Sequence, residues 1–173
     1  MMLKPLFPSF NVATLHMANR TNPRGWNVSA NAPSSLAELK RRAKRDGRIT
    51  VSSLHSDLTI YGDPEINYAA RAWHDACHIL ADAAFDDAGE RAVCELQKRQ
   101  LRAVYGEASS RLFCAVVDAE IIGQLDYKAA NGEFPRDQRT FVLERMAWNI
   151  PRNEYLGDDW FRAAQIQNGS LYV

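Results

Sequence analysis

Two of the chain's four histidines, His74 and His78, stand four residues apart in the run Trp73-His74-Asp75-Ala76-Cys77-His78. On a helix that spacing puts both imidazoles on one face, one turn apart, where they can share a metal ion. Two carboxylates further along extend the pattern. Glu90 projects with Gln97 from the apolar face made by Val93, Cys94, Leu101 and Val104, while Arg91, Glu95, Arg99 and Arg102 point the other way. Glu120 and Gln124 lie one turn apart in the stripe of Phe113, Val116, Val117 and Tyr127, with Gly123 alongside. An ionised carboxylate buried alone is very costly, so each glutamate is expected to be paired, protonated or bound to a metal.

One arrangement accounts for all of these residues. Three helices pack so that His74, His78, Glu90 and Glu120 converge on a divalent cation (zinc, manganese or iron), with Asn67, Gln97, Gln124 and Tyr127 behind them to hold the ligands and position a substrate. The competing account is structural, with histidines that hydrogen-bond locally and glutamates salt-bridged to Arg71 or Arg111. In the metal account the chemistry is hydrolysis. The ion lowers the pKa of a bound water, a free carboxylate (Glu120 or Asp75) acts as general base, and Arg71 holds an anionic substrate group. The same ligands also suit an oxygen-using iron centre. Asp75 serves equally well to orient a histidine as to ligate. His55 reads as a turn residue, and Cys77 points to another helix face than His78. The chain has neither the GxSxG nor the GxxxxGK[ST] pattern, which sets aside serine-nucleophile and phosphate-loop chemistry.

The elements that must carry these residues can be read from caps and periodicity. Asp63 followed by Pro64 is a helix start, and the period runs to about Phe85 before the Asp86-Asp87-Ala88-Gly89 break. Further helices are expected at 89–105, from Ser109 or Ser110 to Ala130, at 135–148 behind Pro135, and from Asp158 or Asp159 to about Gln165. Ser35 with Glu38 forms a capping box and Gly47 a stop, predicting a short helix over 35–46. The β-branched runs 49–53 and 58–61, separated by His55, Ser56 and Asp57, suggest a hairpin or two short strands. Residues 1–33 hold four of the seven prolines and read as an irregular strap that packs by Leu3, Phe7, Phe10, Leu15 and Trp26, or orders on a protein partner. The predicted architecture is therefore mainly α: a cluster of five to six helices with a small β hairpin, forming a single domain over 34–173 behind the strap.

Composition narrows the function classes. The 173 residues suffice to bury a core without disulfides or a structural metal, so a bound ion would be functional. With 21 basic and 21 acidic residues, no global field steers the chain to nucleic acid or anionic lipid. The local basic cluster of Lys40, Arg41, Arg42, Lys44 and Arg45 reads as a solvated face, with a phosphate or nucleic-acid contact as its alternative. Three cysteines without CxxC spacing read as reduced core residues of a cytoplasmic protein, and no segment approaches a membrane span.

The adjacent His74-Asp75 resembles the signature of the HD-type metal phosphohydrolases, all-helical enzymes that cleave phosphate esters and nucleotides. That resemblance implies an earlier histidine, for which His55 is the candidate, and a later aspartate, Asp118 or Asp126. His78, Glu90 and Glu120 lie outside its minimal pattern. The stretches from Tyr61 to His78, Gly89-Glu90, Glu120 to Tyr127 and Phe134 to Gln138 are similar to uncharacterised proteins of tailed bacteriophages and prophages. This second resemblance implies a setting in the host cytoplasm and no particular activity. The alternative to an enzyme is a phage protein that binds a host or phage partner through the strap and basic helix, its inward polar residues structural.

Overall fold

The computed structural model describes residues 3–149, with side chains to residue 146, and the helix expected near 158–165 lies outside them. The fold is mainly α: α1 (Pro8–Thr21), β1 (Asn27–Ser29), α2 (Leu36–Asp46), β2 (Thr50–Ser52), α3 (Pro64–Ala81), α4 (Asp87–Tyr105), α5 (Glu107–Asp118), a π-helical turn (Ala119–Gly123), α6 (Gln124–Asn131) and α7 (Gln138–Asn149). The backbone stays right-handed helical from α5 through the π turn into α6, so the three form one continuous rod.

Local caps act where the sequence places them. The Asp63 side chain accepts the Glu65 N–H at 2.9 Å and Pro64 opens α3. Ser35 caps α2 through the Glu38 N–H, and Gly47 ends that helix in the left-handed region. α3 stops earlier than periodicity suggests. Asp82 turns left-handed at φ 53° and the Ala83 N–H closes onto the His78 carbonyl at 3.0 Å, which satisfies the last turn and buries Ala83. α7 begins at Gln138 rather than at Pro135, because the Asp137 carboxylate caps the Thr140 N–H at 2.9 Å.

The N-terminal segment departs most from its expected form. Instead of an irregular strap, residues 8–21 form a 14-residue helix, with proline in its first turn. Phe10, Ala13, Met17 and Ala18 repeat at helical spacing and share a core with Trp73, Leu101, Val116, Val142 and Met146. Phe7 and Phe10 are buried in that core and Leu15 and Trp26 pack against it, so α1 belongs to the same core as the rest.

The β element also differs. β2 pairs with β1 in parallel, Asn27 opposite Thr50 and Ser29 opposite Ser52, and α2 provides the crossover that a parallel pair requires. Residues 58–61 form no strand. Between the β pair and α3, Leu39, Ile49, Val51 and Ala72 make a second small core. Among the described residues no helix is long and apolar enough to cross a membrane.

Candidate metal centre

α3 holds His74 and His78 one turn apart, their rings 4.7 Å between centroids and 75° between planes. Glu90 reaches them from the first full turn of α4, and the reason lies one residue before it. A side chain at Gly89 would put its Cβ 1.9 Å from the Ala84 carbonyl oxygen, so only glycine lets the loop after α3 lie against the start of α4. The Asp86 carboxylate caps the Gly89 N–H at 2.8 Å and pins that turn. The Glu90 carboxylate then spans both rings, with Oε2 3.0 Å from His74 Nε2 and Oε1 3.3 Å from His78 Nε2.

The far side of each imidazole is already engaged. His78 Nδ1 lies 2.9 Å from the Ala83 carbonyl, and His74 Nδ1 lies 3.3 Å from Gln97 Oε1. Both partners are acceptors, so each Nδ1 donates outward and the two Nε2 atoms face inward, where a proton or a cation can join them to Glu90. These two Nε2 atoms are 3.0 Å apart. Two lone pairs and a carboxylate at such separations repel unless positive charge sits among them, as a shared proton or as a cation. The three spacings, 3.0, 3.0 and 3.3 Å, are those of hydrogen bonds and equally of ligand atoms around one small ion. Ligand atoms about 2.1 Å from one ion and about 90–105° apart lie at such distances from each other.

Electrostatics follow the same geometry. Burial disfavours the charged form of His74, yet the hydrogen bond and charge of Glu90 outweigh it and raise its pKa. Burial also works against ionised Glu90, but hydrogen bonds from both imidazoles bring its pKa down to about 2. Asp75 shows the opposite result. Desolvation pushes its pKa up to about 6 despite the nearby histidines.

His74, Glu90 and Gln97 open into a cavity of about 450 Å³, also lined by Asn67, Arg71, Glu120 and Gln124. Glu120 stands on the π turn, a helix irregularity that is frequent at functional sites. Its Oε1 is buried without a hydrogen-bond partner, and desolvation lifts its pKa to about 7, offset only in part by the charge of Arg71. Arg71 donates to the Ser52 carbonyl at 2.6 Å and to the His55 carbonyl at 3.3 Å, which leaves part of its five-donor fork uncommitted to them.

Three of the four ligands expected from the sequence come together. Among the described residues, the group whose ligand atoms all lie within 4.8 Å is His74, His78 and Glu90. Glu120 is not a member of that group and faces the shared cavity instead. The π turn and α7 set its position. α7 packs so close that a Cβ on Gly123 would be 2.8 Å from Arg145 Cδ. Of the supporting residues, Gln97 meets His74, Gln124 lines the cavity, and Asn67 lines it while donating to Ser56 Oγ at 2.9 Å. Tyr127 does not line it, since its ring packs edge-on against Phe141 at 5.4 Å. Asp75 flanks the histidines without lining the cavity or joining the ligand group.

The remaining candidates are engaged elsewhere. Asp118 pairs with Lys98 at 2.8 Å, and Asp126 bridges Arg91 and Arg145, both at 2.9 Å. Lys40, Arg41, Arg42 and Arg45 on α2 each pair with an acid, which neutralises most of the basic cluster. Three features of the site carry no sequence signal: the Ala83 carbonyl, the Phe85 ring set edge-on to His78 at 4.5 Å, and Tyr61, which enters the cavity from the loop before α3. A carbonyl is present at every residue, and the two aromatics follow no period that marks them. No protein-family model, curated protein or solved structure matches the chain.

Proposed function

We propose that this protein is a divalent-metal-dependent hydrolase of a phosphate ester, a nucleotide among them, with the ion held by His74, His78 and Glu90. One observation carries the reading: two histidines whose Nδ1 atoms are occupied turn their Nε2 atoms, 3.0 Å apart, toward both oxygens of one carboxylate. A bound zinc, manganese or iron ion supplies a Lewis-acidic centre that brings a water's pKa toward neutrality. Gln97 and the Ala83 carbonyl fix ring orientation and tautomer. Glu120, poised near neutral pH in the same cavity, is suited to accept a proton from the attacking water and return it to the leaving oxygen. Arg71 is placed to hold the anionic group of the substrate. Asp75, outside the cavity, acts here through its charge beside His74 rather than as a base.

Two histidines and one carboxylate on an octahedral face also form the ligand set of oxygen-activating iron centres, and that ligand set favours iron chemistry as the second reading. Three buried, unpaired cysteines and the resemblance to phage proteins support a reducing host cytoplasm as the setting. Elemental analysis of purified protein, with titration of zinc, manganese and iron(II) into the stripped chain, tests the centre directly. The expected result is one ion per chain, lost in His78→Ala and Glu90→Ala. Stoichiometric metal with turnover of phosphate esters supports hydrolysis, whereas iron with oxygen uptake and no hydrolysis supports the second reading. If neither variant changes metal affinity, the cluster is a proton-bridged structural network. The protein then belongs with non-enzymatic binding proteins that engage a protein partner.

A further inference from the structure

The metal-side cavity continues into a second chamber of about 540 Å³, and the two share Arg71, Gln124, Phe134 and Gln138. The outer chamber has a different chemistry from the inner one. Leu58, from the loop before α3, and Phe134, from the loop before α7, line it while leaving 52% and 47% of their surface exposed, and Pro135 adds a third apolar wall. Charge at this end is mainly positive: Arg71 and Arg136 line the chamber against a single acid, Asp57. Lys128 stands over the Phe134 ring at 4.7 Å. Neither Arg136 nor Lys128 enters an ion pair among the described residues. His55, at the chamber wall, holds a left-handed φ of 53°, a strained backbone of the kind found at ligand clamps.

Exposed apolar side chains beside unneutralised cations suit a ligand that joins a flat ring to an anion. We infer that the outer chamber is the subsite for the planar base of a nucleoside phosphate, held between Leu58 and Phe134, with the phosphate at Arg71 directed toward the metal side. The inference rests on the hydrolase reading for the placing of the phosphate. It selects a nucleoside phosphate over a simple sugar or glycerol phosphate. Arg136 adds charge at the mouth, and the Gln124 and Gln138 amides at the junction offer a donor and an acceptor each to the sugar or base edge.

Calorimetric titration of the full chain with AMP, ribose 5-phosphate and inorganic phosphate tests it, in EDTA and with manganese. AMP is expected to bind at least about tenfold tighter than ribose 5-phosphate, a gain of the size that base stacking on an aromatic side chain supplies. Phe134→Ala should remove that advantage and leave ribose 5-phosphate binding unchanged, with Leu58→Ala weakening it in the same sense. Both positions are exposed, so folding is not at stake. Equal affinity for AMP and ribose 5-phosphate, an unchanged ratio in both variants, or no binding of either probe overturns the subsite. Metal titration of the same samples decides the hydrolase reading separately. A Phe134-dependent base preference in a protein without metal affinity keeps the subsite and removes the enzyme, and metal affinity without base preference does the reverse.

Discussion

Glu120 is a carboxylic acid buried on a π turn with one oxygen unpartnered, and replacing it with glutamine should stabilise the protein in a pH-dependent way. Its pKa rises on folding from 4.5 to about 7. Below about pH 4.5 the group is protonated in both the folded and the unfolded chain, and its titration contributes no penalty. Between those values the unfolded chain loses its proton first, so stability falls as pH rises. Above about pH 7 the penalty levels off at roughly 3 kcal/mol, from 1.36 kcal/mol per pKa unit. Glutamine mimics the neutral acid and never ionises. The advantage of Glu120→Gln over the parent should therefore grow by about 3 kcal/mol between pH 4.5 and pH 8, or about 6–12 °C in Tm for a chain of this size. Urea denaturation of both proteins at pH 4.5, 6 and 8 measures it, with EDTA present so that bound metal adds no stability of its own. A constant offset from the new amide is of no consequence, because only the change with pH is diagnostic. A difference that stays flat across this range, or a variant that loses ground at pH 8, refutes the reasoning. It would mean that ionised Glu120 is fully compensated in the folded state.

Other expectations follow from the same geometry. Gly89→Ala forces a Cβ into the Ala84 carbonyl, so it should cost about 1–3 kcal/mol in denaturant titrations and weaken metal binding by moving Glu90. Gln97→Leu keeps all three proposed ligands but frees His74 Nδ1, and should lower metal affinity about 10–100-fold in competition titrations while the fold by circular dichroism persists. Phe10→Ala empties a core position on α1 and should destabilise the chain by about 3–5 kcal/mol; a loss under 1 kcal/mol would return α1 to the status of a dispensable strap. With the catalytic roles proposed here, Glu120→Gln should also depress hydrolysis strongly at saturating metal while leaving metal affinity within a few-fold of the parent.

The helix start at Asp63 and Pro64, the Ser35 cap and the shared face of His74 and His78 are legible in the sequence, because each depends on residues no more than a few positions apart. Glu90 was legible for a related reason: a carboxylate inside an apolar face needs a partner wherever it lands. α1 is not legible in the sequence because its core positions are mixed with polar residues and two alanines, while the surrounding prolines suggest irregular chain. The parallel pairing of β1 with β2 is not legible either, because the pairing residues lie 23 positions apart and α2 intervenes.

What the sequence determined by itself was a set of chemically suitable side chains on the right faces of the right helices. Tertiary structure decided which of them meet. Both carboxylates are expected at the histidine pair, and helix periodicity does not fix which of them reaches it. The choice fell to contacts between distant segments: a loop carbonyl lying against Gly89 brought Glu90 onto both imidazoles, while the π turn under α7 left Glu120 in the cavity wall as a separate acid. Faces are set by local backbone geometry, but distances between faces are set by how whole elements pack.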